Sequence, residues 1–408
     1  MAIYIIVFLF LLNGIRYEKL PWNSGLKQKW WFVELIILIL LSGLRFRVGG
    51  DSLAYYDYYL ENPSFKEILS NGLFSFNYGQ AWYSLQNICQ LFTDDFVLFQ
   101  IVHAAIVNFS VFYFVKRYCK RPFLLIVFYF YMIYPNYNME IMRQSLSIAL
   151  YLWSIPLLIK KKYIKYYILT FFAFGFHNTA IILFILPIIY NVLSKRFSIT
   201  AFLIIFFGVF VVGFTPIMSQ INEYLDIVSL TDRLQSYGEN LSNINGMIKY
   251  TAAFLVPMFF AVIYKADTKE ENYFINIYLL MMAIVIPLIY FIRIVNYFEI
   301  PFYVVVFNAL DKVLRKQNSN MNVISNSVII GFVSIKSPRK PFIRILVLSL
   351  SLLFVWQVGE RTTRYLNDRT AASGVPSHFY NMYIPYHSVF NPKTDDIREA
   401  SYYNYWKY

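Results

Sequence analysis

The stretch MEIMRQSLSIALYLWSIPLLIKKKYIKYYILTFFAFGFHN, residues 139–178, decides the fold. It holds two apolar runs, 140–159 and 163–177, parted by Lys160, Lys161 and Lys162, with Lys165 near the start of the second. Each run approaches the roughly 17 to 20 residues that a membrane-crossing helix needs. So short a turn returns the chain antiparallel, and the two runs form a helical hairpin. Lysine concentrates on the cytoplasmic side of membrane proteins, which places the turn inside. The other end of the hairpin then faces outside, with Arg143 and His177 at one level.

The rest of the chain repeats this pattern. It is 58% hydrophobic and 14% charged, against about 25% charged in soluble domains. Further apolar runs lie near 2–15, 31–45, 96–115, 122–135, 178–193, 197–214, 249–264, 273–291, 296–310 and 342–358. Alternate loops are basic, as in Arg16/Lys19/Lys27/Lys29, Lys116/Arg117/Lys120/Arg121, Lys195/Arg196, Lys265/Lys269 and the linker from Lys312 to Arg344. The expectation is an all-α, polytopic integral membrane protein of about 12 transmembrane helices with both termini outside. The first run lacks a basic n-region and a small-residue cleavage site, so it reads as a retained helix. Membrane orientation accounts for the net charge of +13, and no nucleic-acid partner is called for.

The outer side then carries large loops at 46–95 and 215–248, short turns at 135–140 and 291–296, and a tail. This divides the chain into a transmembrane domain, 1–358, with a cytoplasmic linker at 312–341, and an extracytoplasmic Tyr/Pro-rich tail, 359–408. The weakly apolar stretch 321–335 suits an interfacial helix. Cys89 falls outside and Cys119 inside, which argues against a disulfide, and neither has neighbours at metal-ligand spacing. No metal site, Gly-rich phosphate loop or nucleophile elbow is expected.

Charge on the outer side calls for a reason beyond topology. Ahead of the tail the outer cations are Arg45, Arg47, Lys66, Arg143, Arg233, Lys249 and Arg293. Lysine would serve for orientation, whereas the arginine fork matches phosphate and carboxylate oxygens in pairs. The competing explanation is salt bridging to outer acids such as Asp51, Glu140, Asp232 and Glu299.

Four constellations gather there. In RFRVGGDSLAYYDYY, 45–59, Gly49 and Gly50 permit a sharp turn that brings Arg45, Arg47 and Asp51 beside Tyr55, Tyr56, Tyr58 and Tyr59. The stretch is either an interfacial aromatic belt or an anion site with rings for sugar faces. In NYNMEIMRQSLSIAL, 136–150, Asn138 is expected to cap a helix whose face carries Glu140, Arg143 and Gln144. Its N-terminus would favour an anion, and a structural Glu140–Arg143 pair is the rival reading. His177 can orient or deprotonate a hydroxyl, while His103, within an apolar run, reads as a packing residue. Arg293, Asn296, Tyr297 and Glu299 mark another outer turn.

The order of these motifs resembles the EpsG family, which belongs with the Wzy-like polymerases of bacterial exopolysaccharide and O-antigen synthesis. The residues that carry the likeness are Arg47, Gly49 or Gly50, and Asp51; Asn136 or Asn138, Arg143 and Gln144; Phe176 and His177; and Arg293, Tyr297 and Phe298. The likeness covers roughly 40–300, with the linker and tail outside it.

The resemblance implies a GT-C-like glycosyltransferase of the bacterial cytoplasmic membrane with its active site facing outside and no cofactor. Donor and acceptor would both be polyprenyl-diphosphate-linked oligosaccharides, with a chain-length regulator as a further partner. Arg47, Arg143 and Arg293 are then expected to bind diphosphate. His177 and Asp51, followed by Glu140, are the catalytic candidates. Tyr55, Gln144 and Tyr297 would contact glycan or orient it. The alternative is a transporter or flippase of the same lipid-linked glycans. That function calls for charge near mid-membrane and for repeat symmetry, whereas the charges here gather at one face.

Overall fold

The computed structural model describes residues 1–70, 79–196, 200, 203–204, 207–208, 244–285, 293–320, 341–370 and 376–406. These are mostly helical, and they form two compact units, Met1–Ile185 with Val358–Tyr408, and Leu186–Gln357. The expected helix at 197–214 and loop at 215–248 lie largely outside the described residues, and the expected interfacial helix at 321–335 lies wholly outside them.

The first unit contains α1 (Ala2–Gly14), α2 (Gly25–Gly43), α3 (Asp51–Asp57), α4 (Phe65–Ser70), α5 (Gln80–Gln90), α6 (Phe96–Tyr118), α7 (Pro122–Met132), α8 (Met142–Ile159) and α9 (Tyr163–Phe176). The second contains α10 (Leu186–Leu193), α11 (Ile244–Ile263), α12 (Lys269–Val285) and α13 (Asn296–Asn320). Helix α14 (Pro341–Leu366) begins in the second unit and ends in the first. After it come an antiparallel ribbon, β1 (Asp368–Thr370) with β2 (Pro376–His378), and α15 (Asp396–Trp406).

Local chemistry sets several of these boundaries. Asp95 accepts the Val97 N–H at 2.9 Å and so caps α6, satisfying one of its four orphan donors. Pro122 opens α7, at a position where its missing N–H costs nothing. Three described helices are long and apolar enough to cross a membrane: Phe96–Tyr118, Met142–Ile159 and Ile343–Leu366. Shorter apolar helices cover Pro122–Met132, Tyr163–Phe176, Asn178–Leu193 and Ala253–Ile263.

Several expected boundaries change, three of them with a local cause. The helix expected from 140 starts at Met142, because Asn136–Glu140 forms a π-helical turn and Ile141 leaves helical geometry. The run 178–193 is a 3-10 helix, Asn178–Ile185, followed by α10. Pro187 lies in the first turn of α10, where a new helix tolerates it and a continuing one would lose a bond. The run expected to end at 358 continues helically to Leu366, so the first residues of the expected tail belong to α14.

In the first unit α8 packs along α9, and α6 packs against both α2 and α8. A buried polar cluster ties α2, α6 and α7 to the turn before α8. The Asn138 amide donates to the Tyr134 carbonyl and the Tyr129 hydroxyl, and its oxygen accepts from Asn108 at 2.8 Å. Tyr129 donates to Asn108, and Tyr134 to the Leu38 carbonyl at 2.6 Å. Asn138 therefore joins four segments where a helix cap had been expected.

The second unit is organised around Glu271 and Asn276 of α12. Glu271 accepts from the Tyr264 hydroxyl, the Asp267 amide and Asn308 of α13. Asn276 donates to the Leu193 and Lys195 carbonyls, fastening the end of α10. Asn138, Glu271 and Asn276 thus find partners for their buried polar atoms, as a low-dielectric interior favours.

Candidate functional site

The α8–α9 hairpin sets the level of the site. Ser147 donates to the Ala173 carbonyl at 2.8 Å. Arg143 lies four residues from Ser147 toward the start of α8, and His177 four residues from Ala173 past the end of α9. At 1.5 Å per residue both are carried about 6 Å in the same direction. The hairpin therefore puts Arg143 and His177 at one end, side by side in register.

Arg143 occupies the first turn of α8, where backbone N–H groups and the helix dipole favour an anion. Its Nε donates to the Tyr55 hydroxyl at 3.3 Å. Tyr55 is only 8% exposed, and its ring rests against Trp82, which in turn packs edge-on against Phe99. The ring expected to contact glycan is thus committed to α5, and what reaches the site is its hydroxyl. Gln144, next to Arg143, is buried.

Glu140 does not sit on the face of α8, because the π-helical turn precedes that helix. Its carboxylate reaches across to the 45–51 turn instead. Oε1 accepts the Gly50 N–H at 2.8 Å and Oε2 the Asp51 N–H at 3.3 Å. These are orphan donors at the start of α3, so Glu140 caps that helix from another part of the chain. A Cβ on Gly50 would meet Glu140 Oε2 at 2.8 Å, so the carboxylate would have to shift away from its cap. Asp51, the first residue of α3, is half-buried and stands beside this cap.

His177 caps the 3-10 helix that follows it. Its Nδ1 accepts the Thr179 N–H at 3.3 Å and lies 2.6 Å from the Thr179 hydroxyl. An N–H aimed at Nδ1 requires the lone pair there, so the neutral ring carries its proton on Nε2. In this tautomer Nε2 is a donor and has no lone pair free to take a proton. His103, by contrast, is fully buried against the Met142 carbonyl and Ser145, in agreement with a packing role.

Arg47 is occupied. Its Nε and Nη2 pair with the two oxygens of Glu399 at 2.6 and 2.7 Å, and its Nη1 pairs with Asp57 at 2.8 Å. The guanidinium also lies over the Tyr56 ring. The Glu399 bonds, with Asp57 adding to them, hold Arg47 charged well beyond the ordinary arginine range. Arg45 is fully buried and donates to the Val48 and Ser42 carbonyls, with Met142 Sδ at 3.3 Å.

Arg293 and Tyr297 belong to the second unit. Arg293 is half-buried in a 3-10 turn just ahead of α13, and Tyr297 is fully buried in the first turn of that helix. The structure thus gathers Glu140, Asp51, Tyr55, Arg143, Gln144 and His177 in the first unit. Among the described residues no group of three or more His, Cys, Asp or Glu side chains could hold a metal ion.

Sequence reasoning missed the part played by the tail. Arg398 is buried and donates to the carbonyls of Arg47, Asn381 and Pro385. Burial lowers its proton affinity below the arginine norm. The signal that could have revealed this helix is DDIREA, 395–400, where Asp395 accepts the Arg398 N–H at 2.9 Å as an N-cap.

With this geometry in place, comparison with known proteins adds one finding. A family model described as the EpsG family matches residues 29–347. No curated protein and no solved structure matches the chain.

Proposed function

Because the chain belongs to the EpsG family, membrane proteins associated with exopolysaccharide biosynthesis, we propose that it polymerises lipid-linked glycans. In this reading the growing glycan leaves its polyprenyl diphosphate for a sugar hydroxyl of a new lipid-linked repeat unit. The reaction takes place at the outer face of the cytoplasmic membrane. The acceptor oxygen forms a bond to the anomeric carbon of the donor, and the bond from that carbon to the diphosphate oxygen breaks. The diphosphate leaves with the electron pair, and the hydroxyl proton passes to a base.

The observation that carries the proposal is Arg143, a guanidinium in the first turn of α8 with its Nε on the Tyr55 hydroxyl. Negative charge grows on the departing diphosphate, and a preorganised cation at a helix N-terminus stabilises it more in the transition state than before. Arg293, in the second unit, remains assigned to phosphate oxygens. Arg47, whose fork is filled by Glu399 and Asp57, is assigned to hold the turn.

Among the catalytic candidates, Asp51 is assigned as the base. Glu140 spends its carboxylate on the Gly50 and Asp51 amides, so it positions Asp51. His177, with Nδ1 occupied by Thr179, donates from Nε2 to an oxygen of acceptor or diphosphate. Gln144 and Tyr297 remain assigned to glycan orientation.

The test is Arg143→Ala in cells that make the polysaccharide. The protein should accumulate normally in membranes, polymer should vanish and single lipid-linked repeat units should build up. Normal polymer length would end the assignment. Loss of lipid-linked units from the outer face would instead support a flippase.

A further inference from the structure

The turn that presents Gly50 and Asp51 to Glu140 has an unfavourable backbone. Arg47 adopts φ 48° and Gly49 φ 107°, the first in a region that a side-chain-bearing residue seldom enters. Such a conformation persists only where surroundings over-determine it. Within the turn Arg45 donates to the Val48 carbonyl at 2.9 Å, and Arg47 is held from outside it.

The C-terminal segment supplies that hold. The Phe46 N–H donates to the His387 carbonyl at 2.9 Å, and the Gly49 N–H to the Met382 carbonyl at 2.7 Å. The Val389 N–H returns to the Leu44 carbonyl at 3.0 Å, and Arg45 bridges to Ser388 in antiparallel fashion. Arg398 donates to the Arg47 carbonyl at 2.8 Å while binding the Asn381 carbonyl. Glu399 grips the Arg47 guanidinium with both oxygens. The strained residue is thus held by its carbonyl and by its side chain, from adjacent residues of one helix. All of these contacts lie within the first unit, and every tail residue in them falls beyond the family-matched residues 29–347.

We propose that the C-terminal segment 376–406 is a positioning element of the substrate site. Through Arg398 and Glu399 it holds the 45–51 turn in the conformation in which Glu140 meets Gly50 and Asp51. Helix α3 starts from that cap and delivers Tyr55 to Arg143. Without the clamp, Arg47 relaxes toward ordinary backbone angles, the Gly50 and Asp51 amides leave Glu140, and Asp51 and Tyr55 lose their places. This inference rests on the polymerase reading for its catalytic consequence but not for the clamp itself.

The experiment compares wild type with Glu399→Ala in purified full-length protein, using amide hydrogen exchange and steady-state kinetics. Exchange should quicken in 45–57, distant from position 399 in sequence, and stay unchanged across α8 and α9. kcat should fall on the order of tenfold or more, because Asp51 is the assigned base, while KM for the lipid-linked repeat unit changes less. Glu399→Gln, which keeps the shape and one acceptor oxygen, should fall between the two and carries the test if the alanine variant fails to fold. Unchanged exchange in 45–57 would overturn the proposal, as would faster exchange with unchanged kcat. A wild-type protein without polymerising activity would overturn the functional reading and leave exchange to decide the clamp.

Discussion

Glu140 accepts the Gly50 amide hydrogen at 2.8 Å, joining the π-helical turn before α8 to the start of α3. The contact converts an acid that the sequence offered as a catalytic group into the cap of the helix that carries Asp51 and Tyr55. Gly50→Ala places a methyl 2.8 Å from that carboxylate and should destabilise the protein by about 1–3 kcal/mol. Polymer yield should fall with it. Thermal unfolding in detergent measures the first effect, and an unchanged midpoint would argue against the contact.

Arg143→Lys keeps the charge but loses the planar fork and the Nε bond to Tyr55. Polymerisation should drop on the order of a hundredfold if the fork stabilises the leaving diphosphate. Tyr55→Phe removes only the hydroxyl that Arg143 Nε touches, so a loss of roughly tenfold or less is expected. A larger effect from Tyr55→Phe than from Arg143→Lys would reverse the assigned order of importance.

His177→Asn retains a side-chain acceptor for the Thr179 amide while discarding Nε2. The variant should fold, with kcat lowered on the order of tenfold to a hundredfold. Thr179→Val leaves the backbone donor but removes the hydroxyl at 2.6 Å, and it should cost less. If His177 were instead the base through Nε2, kcat would follow a titration near neutral pH that His177→Asn abolishes. A retained pH profile in the variant supports the orienting role.

Asn138→Leu leaves the Asn108 amide and the Tyr129 hydroxyl short of partners in a buried cluster. Each unsatisfied group costs about 1–3 kcal/mol, so the protein should reach membranes in much reduced amount. Yield of folded protein by size-exclusion in detergent tests this, and wild-type yield would contradict it.

Burial pushes the Glu18 carboxyl up to about 7 from its ordinary 4.5. The folded protein then holds a proton that the unfolded chain releases, so stability is greatest below about 4.5 and declines up to about 7. Above that both states are ionised and the contribution is flat. Glu18→Gln, which keeps the acceptor for the Leu124 N–H, should weaken the decline in unfolding midpoint between pH 5 and 7. Identical pH dependence in variant and wild type would refute the assignment.

What could be read from sequence, and what could not, divides along the range of the interactions. Apolar run length and lysine turns are local signals, and they located the α8–α9 hairpin and the shared level of Arg143 and His177. The partners of Asn138, Glu140 and Arg47 could not be read because each bonds to a segment far away in the chain: Asn108, Gly50 and Glu399. A helical pattern read through 136–150 also concealed the π-helical turn, which rotates Glu140 off the face it would share with Arg143. The tail looked like aromatic sequence without pattern because its contacts with the 45–51 turn use carbonyls and two charged side chains, neither of which leaves a periodic trace.

The central claim is polymerisation driven by a lipid diphosphate leaving group and stabilised by Arg143. Its most direct measurement supplies purified protein in lipid with lipid-linked repeat units and no nucleotide sugar, and resolves the products by size. The account predicts a glycan ladder from wild type and only single units from Arg143→Ala. Repeat units that cross the bilayer without lengthening, or a ladder that persists in Arg143→Ala, would contradict it.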